Sequence, residues 1–498
     1  VSSLPRLLPP VGLFLLGLHL VFTLSRPDGI VADPGTGWHV KLGEWMVRDG
    51  RIPAQDPLSW TLPGARWIDY QWGTHAVMGV LHGGGLRLVA AVWVLGYGLL
   101  VLGLYRRLLE RGVALPLAWL AAFAAWVVLS MHFQLRPHLW TYLLLAVLMG
   151  CLHRMHLRER WQDGLVAALL FLPWANLHAG FVAGLVVWGA YGLGEVAALG
   201  WRDRIAGWRL LLRHAGWGSL AAALTLANPW GWELHRHILR LLGSASQEFW
   251  HEYQPPLAVG GLNVGVFAGL AVLLLGGAAA RVKGIRPGEW ASALVLLFFA
   301  FSAVRHVNLF VIAALPAAAL SAQALFGRWT RFSSTRWVAW NRSESALLLP
   351  ALWVGGVAVA WMVFALGGSS PLRGDLRGMQ VAPGALEALQ ADPEGLQPLV
   401  HPENLGGVIA YELAPRYRLF ADDRLDYYGD DFFIGRYLPL MRAEPGWREM
   451  LNAWEVRGAL LPAGSGLAQA LGEAPGWSCI WADDRHVLFR REMPEGGR

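Results

Sequence analysis

Charge and cysteine are what this chain has least of. Only 15% of its 498 residues are Asp, Glu, Lys or Arg, against 55% apolar, and mean hydropathy is +0.39. A soluble chain of this length needs far more charge to cover its surface, so most of it must face lipid or other buried helices. Disorder, a coiled coil and a disulfide-stapled secreted scaffold are excluded together. The two cysteines, Cys151 and Cys479, stand too far apart to form a motif, and no zinc-type spacing exists. No repeat of convincing period and no low-complexity tract is found. The tail lacks GxGxxG and P-loop motifs, which argues against a nucleotide-driven pump.

What charge there is has a pattern. Lys+Arg 41 against Asp+Glu 35 gives a net +6, and nearly all the basic residues are arginine. Residues 371–498 hold 13 Arg and 19 Asp+Glu, a net −6, so the rest of the chain carries +12. That excess sits in short loops between apolar runs, the positive-inside signature and not a nucleic-acid patch. The 28 tryptophans suit a protein whose indoles lie at membrane interfaces.

The first apolar run, 8–24, resembles a signal peptide but lacks a small-residue cleavage site, and reads as an uncleaved first span entering from the cytoplasm. Residues 25–74 form a polar, Trp-rich external loop. Within it Trp38, Leu42, Trp45 and Met46 follow i, i+4, i+7, i+8, an amphipathic helix suited to the membrane plane. Further spans are expected near 85–105, 113–131, 137–152, 163–176, 179–199, 215–228, 262–280, 288–304, 306–325 and 346–366, several of them short enough for half-helices or tilted pairs. The intervening basic loops are Arg106/Arg107/Arg111, Arg154/Arg158/Arg160, Arg202/Arg204/Arg209/Arg213, Arg281/Lys283/Arg286 and Arg328/Arg331/Arg336/Arg342. Placing all five in the cytoplasm gives about 11 spans, the N-terminus inside and the tail outside. The fold class expected is therefore mainly α: a polytopic integral membrane protein, residues 1–369, followed by an extracytoplasmic α/β domain, 370–498. In that domain β-like runs at 398–400, 418–420, 459–461 and 486–489 alternate with helical patterns at 384–390 and 446–454.

Ionisable residues beside a span are costly and mark function by default. The external loop holds the densest set: Asp33, His39, Lys41, Glu44, Asp56, Arg66, Asp69 and, with them, Gln71. A carboxylate at Asp33, just past the first span, can take a proton from an acceptor hydroxyl while a lipid-linked donor stays in the bilayer. An N-cap for the following helix is the competing reading. His39 orients an acceptor or anchors the interface. Asp56 and Asp69 have loop-turn explanations. Arg136 and His138 end a span, where snorkelling competes with ligand binding. Asn176 and His178 interrupt an apolar stretch, where interhelical hydrogen bonds compete with donor binding. Arg305, beside His306 at an external span end, offers a fork that matches phosphate oxygens. His235, His237, His251 and Glu252 flank the Asn228-Pro229 loop without metal-site spacing, and Asp422, Asp423, Asp426, Asp430 and Asp431 read as a solvated acidic face rather than a cation site.

Several of these residues fall in an ordered set of motifs. They are Asp33-x4-Trp38-His39-x3-Gly43-Glu44-Trp45, Gly50-Arg51-Ile52-Pro53-x2-Asp56-Pro57-x-Ser59, Leu135-Arg136-Pro137 and Trp174-x-Asn176-x-His178-x-Gly180. Next come Asn228-Pro229-Trp230-Gly231, Arg305-His306 and Asp423-Arg424-x-Asp426-x-Tyr428-Gly429-Asp430. In this order, across about residues 10–490, they resemble bacterial GT-C superfamily membrane glycosyltransferases, relatives of protein O-mannosyltransferases and of the lipid A aminoarabinose transferase. The resemblance implies a fold more firmly than a reaction. It implies sugar transfer from a polyprenyl-phosphate donor to a lipid, glycan or protein hydroxyl outside the cytoplasmic membrane of a bacterium, inverting, with Asp33 as general base. Where many relatives carry Glu this chain has Gln71, which leaves Asp69 as the acid that could take its place.

The expected site is thus Asp33, His39 and Asp69 for catalysis and Arg305, His306, Arg136 and His178 for the donor phosphate. The lipid-phosphate sugar donor is the one ligand expected, a divalent metal is left open with no ligand set assigned, and nucleic acid is excluded as a partner. The rival is a non-catalytic membrane subunit of the same fold that holds a partner protein complex. A transporter predicts charges at mid-span, which this sequence almost entirely lacks.

Overall fold

The computed structural model describes residues 12–25, 30–31, 33–330, 381 and 383–492. Helices dominate up to residue 330: α1 (Gly12–Ser25), α2 (Thr36–Asp49), α3 (Trp72–His82), α4 (Leu86–Glu110), α5 (Leu115–Leu129), α6 (His138–Arg158), α7 (Trp161–Leu169) and α8 (Phe171–Leu177). After them come α9 (Phe181–Gly200), α10 (Arg204–Leu224), α11 (Trp232–Leu242), α12 (Pro256–Val259), α13 (Leu262–Ala279), α14 (Pro287–Ser302) and α15 (Val304–Thr330). Local chemistry explains many of the ends. Asp203 caps α10 by accepting from the N–H groups of Ile205 and Ala206. Pro287 opens α14, where the Glu289 carboxylate turns back to the Arg286 N–H. Gly50 closes α2 at φ 64°, a left-handed turn that glycine adopts without a Cβ clash.

Among the described residues, five helical stretches are long and apolar enough to cross a membrane: Leu86–Glu110, Leu115–His132, Phe181–Gly200, Leu262–Ala279 and Val304–Phe326. Other expected spans take different forms. The run at 163–176 is two short helices, α7 and α8, meeting at Leu170. Helix α6 carries His153, Arg154, His156 and Arg158 in its last turns, and α10 begins at Arg204. The basic residues read as loops are therefore largely helix ends, where long stems cover apolar surface and still reach polar partners. The span expected at 346–366, the basic loop through 342 and the 369/370 boundary lie outside the described residues.

The basic helix ends converge at one end of the bundle. Arg111, after α4, pairs with Glu289 of α14, and Arg286 clasps Glu195 of α9 at 2.7 Å. Arg154 reaches Asp163 at 3.2 Å, and Arg213 of α10 donates to the Met155 carbonyl at 3.1 Å. The external loop, Arg136, His178 and Arg305 lie at the start of α2, α6, α9 and α15, at the opposite end of those helices.

Residues 383–492 contain a four-stranded sheet ordered β1-β2-β4-β3, with β1 (Leu399–Val400), β2 (Gly458–Pro462), β3 (Trp477–Ala482) and β4 (His486–Arg491). β1 runs parallel to β2, and the other pairings are antiparallel. The run at 418–420 is no sheet strand. Leu419 bridges to Ser59 of the external loop instead.

α2 is the joint between loop and tail. A Cβ on Gly37 would stand 1.9 Å from the Gly407 carbonyl oxygen in the helix Gly406–Leu413, and one on Gly43 would stand 2.0 Å from the His75 carbonyl oxygen on α3. Backbone thus packs on backbone on both sides. Trp38, Leu42 and Met46, expected against the membrane plane, are buried in this sandwich.

Candidate active site on the first external loop

Asp33 precedes α2 and is 3% exposed. Its Oδ1 accepts from the Gly35 N–H at 2.9 Å and its Oδ2 from Arg136 Nε at 2.7 Å. Arg136 stands just before α6, and its Nη2 donates to Asp423 Oδ2, also at 2.7 Å. Asp423 comes from the tail, where Trp38 Nε1 donates to its other oxygen at 2.6 Å. Burial raises the Asp423 carboxyl above the usual carboxylate range against the pull of Arg136, and nearby Asp33 adds to the rise.

The chain of charges continues. Arg136 Nη1 is 3.8 Å from Glu252 Oε2, and Arg305 Nη1 is 3.5 Å from Glu252 Oε1. Arg305 also lies over the Tyr253 ring, 4.4 Å from its centroid. Asp33, Arg136 and Arg305 are thus brought into one line with Asp423 and Glu252. In the sequence Glu252 stands only beside His251, near His235 and His237, with nothing to mark it as a bridge. Among the described residues no group of three or more His, Cys, Asp or Glu side chains is placed to hold a metal ion.

His39 and Asp69 are joined through a residue the sequence reading missed. His75 of α3 bonds Asp69 Oδ2 through Nδ1 at 2.7 Å and His39 Nδ1 through Nε2 at 2.7 Å. With an ionised Asp69 the tautomers follow from donor bookkeeping. With His75 neutral, its Nδ1–H donates to the carboxylate, its Nε2 accepts from His39 Nδ1–H, and the His39 lone pair is on Nε2. Burial holds His39 well below the usual imidazole range, so it stays neutral. Trp38 covers it, ring centroids 3.8 Å apart. The only sequence signal for His75 is its place one turn into α3, opposite Gly43.

Other expected residues take their hydrogen bonds elsewhere. His178 bonds Thr141 Oγ1 at 2.8 Å and accepts from the Gly180 N–H. His306 turns back to the Phe299 carbonyl at 3.1 Å. His138 bonds the Tyr97 hydroxyl and the His132 carbonyl. Asn176 accepts from Trp72 Nε1 at 3.0 Å, fastening the loop to α8.

The acidic tail run is a correction. Asp422 is buried against Arg424, and the Asp423 side chain is turned inward onto Arg136 and Trp38. Arg424 organises the first of these. Its guanidinium is clasped by Asp422 at 2.6 Å and Asp56 at 2.7 Å and lies against Trp38, Trp67, Tyr427 and Tyr428. Asp430 accepts from the hydroxyls of Ser244 and Ser246 and from the N–H groups of Ala245 and Ser246. These acids bind the tail to the loop. Only Asp431 is exposed as expected.

No protein-family model matches the chain, and no curated protein matches it in sequence. Among solved structures, the Archaeoglobus fulgidus oligosaccharyltransferase in its apo form is similar, with a TM-score of 0.53 at 12% identity, over 91% of this chain and 69% of that one. ArnT from Cupriavidus metallidurans, also apo, is similar with a TM-score of 0.50 at 16% identity, over 96% of this chain and 97% of that one. Both are GT-C superfamily members, and ArnT is a lipid A aminoarabinose transferase. At such identities the likeness is one of fold. The chain is a multi-pass helical membrane protein that shares its fold with these two structures.

Proposed function

We propose that this protein is a membrane glycosyltransferase that moves a sugar from a polyprenyl-phosphate donor to a hydroxyl on a lipid, glycan or protein. The observation that carries the reading is the line Asp33–Arg136–Glu252–Arg305, a carboxylate and a phosphate-matching guanidinium on one charged track at the end of the bundle that holds the external loop. Asp33 takes the proton of the acceptor hydroxyl as its oxygen attacks the anomeric carbon from the face opposite the phosphate. The phosphate departs with its charge and is received by Arg305, so the anomeric centre inverts. Arg136 keeps Asp423 and Glu252 as partners when Asp33 lets go, so freeing the base strands no buried cation. The external loop and the tail, 370–498, stand outside the cytoplasmic membrane of a bacterium, and the basic helix ends stand inside.

A non-catalytic subunit of the same fold is favoured by one fact: both Asp33 oxygens are already hydrogen-bonded and the residue is buried. Asp33→Asn separates the two. It keeps size and most hydrogen bonding while removing the basic site, so transfer should fall about 10²–10⁴-fold with melting nearly unchanged. A variant that folds normally and transfers sugar at the parental rate overturns the enzyme reading.

A further inference from the structure

We propose that the cavity between α11 and residues 66–68 is a second anion site, built for the phosphate-bearing headgroup of a membrane lipid. The cavity has a volume of about 350 Å³, at the lower end of small-molecule sites. Arg236 and Arg240, one turn apart on α11, form one wall with His237, and Arg66 comes from the loop. Two carboxylates also line it, and both are engaged. Glu233 is paired with Arg66, and Asp426 accepts from Trp67 Nε1 at 3.2 Å and stands 3.4 Å from His237 Nε2.

The cations on α11 are not so engaged. The Arg236 guanidinium has no partner among the described residues, and Arg240 has only a long contact, Nε to the Arg236 carbonyl at 3.4 Å. His237 is 8% exposed, yet its Nε2 has no hydrogen-bond partner. His237 Nε2 has only the Asp426 carboxylate near it, 3.4 Å away and not hydrogen-bonded, and Arg236 and Arg240 face solvent beside it, so the wall holds more donors than acceptors. Forked guanidiniums match phosphate oxygens, and the cationic wall disfavours a metal ion.

The source of the phosphate follows from the outer face of α11. Trp232, Leu239 and Leu242 are 62%, 64% and 60% exposed, and their spacing places them on one side of the helix, while Leu234 and Ile238 are buried. An apolar face flanked by arginine is how a helix lies in the membrane interface, which sets the cavity mouth at headgroup height. A water-soluble phosphate ester gains nothing from that face. The site is distinct from the Arg305 corner. Arg305 is not among the residues that line the cavity, and the Tyr70 ring packs beside it, 5.9 Å from that of His237. The proposal rests on the membrane placement and not on the transfer chemistry.

Lipid binding to the full chain in neutral detergent tests it, read by native mass spectrometry with phosphatidic acid as probe. Phosphatidic acid should bind, and phosphatidylcholine, whose phosphate is masked by choline, should not. Arg236→Gln/Arg240→Gln should weaken binding at least about tenfold, a change of about 1.4 kcal/mol. Arg236→Lys/Arg240→Lys, which keeps charge but loses the fork, should fall between, and stands in should the Gln pair fail to fold. Asp33→Asn should bind as the parent does, so this result and the fate of the transferase reading separate. Unchanged affinity in both double variants overturns the proposal. Displacement of the lipid by inorganic phosphate at equal concentration, or by an acidic peptide, overturns the lipid as its occupant.

Discussion

Asp33 and Asp423 hold the same guanidinium, Arg136 giving Nε to the first and Nη2 to the second, each at 2.7 Å. One carboxylate belongs to the first external loop and the other to the tail, so the candidate base is positioned by a part of the chain far from it in sequence. Arg136→Gln leaves two buried carboxylates side by side without their cation and should cost about 3–5 kcal/mol. Asp423→Asn should cost less, because Arg136 keeps Asp33 and Glu252. Melting curves of the two variants in detergent check the order, and equal melting for Arg136→Gln and parent would show that the link bears no load.

The Asp69–His75–His39 series fixes a tautomer. In a ¹⁵N-histidine spectrum His39 should be protonated on Nδ1 and bare on Nε2 near neutral pH. Asp69→Asn weakens that preference and, if His39 serves the acceptor, should lower turnover about 10–100-fold, the usual cost of losing an outer hydrogen-bond partner. A His39 ring found protonated on Nε2 contradicts the arrangement.

Arg305→Lys keeps the charge but loses the fork and the flat stack on Tyr253. The expected result is a donor KM raised about tenfold, roughly 1.4 kcal/mol of binding, with the acceptor KM unmoved. Glu252→Gln frees the guanidinium and should lower donor KM. Lysine replacing Arg305 without effect removes the phosphate role.

His401 gives a pH test. It is fully buried, its Nδ1 bonding the Pro402 carbonyl at 2.9 Å while its Nε2 accepts from the Phe420 N–H at 3.0 Å. A second ring proton would face that N–H, and burial lowers the imidazole to about 4. The unfolded chain therefore takes up the proton first, so stability is intact above about 6.5 and falls as pH drops from there toward 4. His401→Gln, which can still accept from Phe420, should flatten this acid limb in melting temperature against pH. An unchanged limb would falsify the assignment.

The bundle was readable because apolar run length and arginine placement report lipid directly. Asp33, Arg136 and Arg305 were readable because an ionisable group at a span end has few inexpensive explanations. His75, the Asp423 contact and the bridging place of Glu252 were not, since each depends on contacts between remote segments that no local period encodes. Asp422 and Asp423 misled for the same reason. An acidic run reads as solvated until Arg424 against Asp422 and Arg136 against Asp423 are known. Strand β3 was also missed; it shows no alternation of exposure, and only β4 pairs with it.

The glycine contacts at Gly37/Gly407 and Gly43/His75 leave α2 no side chains to rotate where it is gripped. Adjustment by rotamer change is closed there, and sliding meets peptide groups. The external loop, α3 and the tail helix Gly406–Leu413 must then travel as a single rigid body. On the transferase reading, entry of a substrate to Asp33 requires either that this body swing away from α6, with the Arg136 contact as its latch, or that substrate arrive along the lipid side without displacing it. A crosslink between α2 and the tail helix should consequently be silent, whereas one from α2 to α6 should arrest the protein.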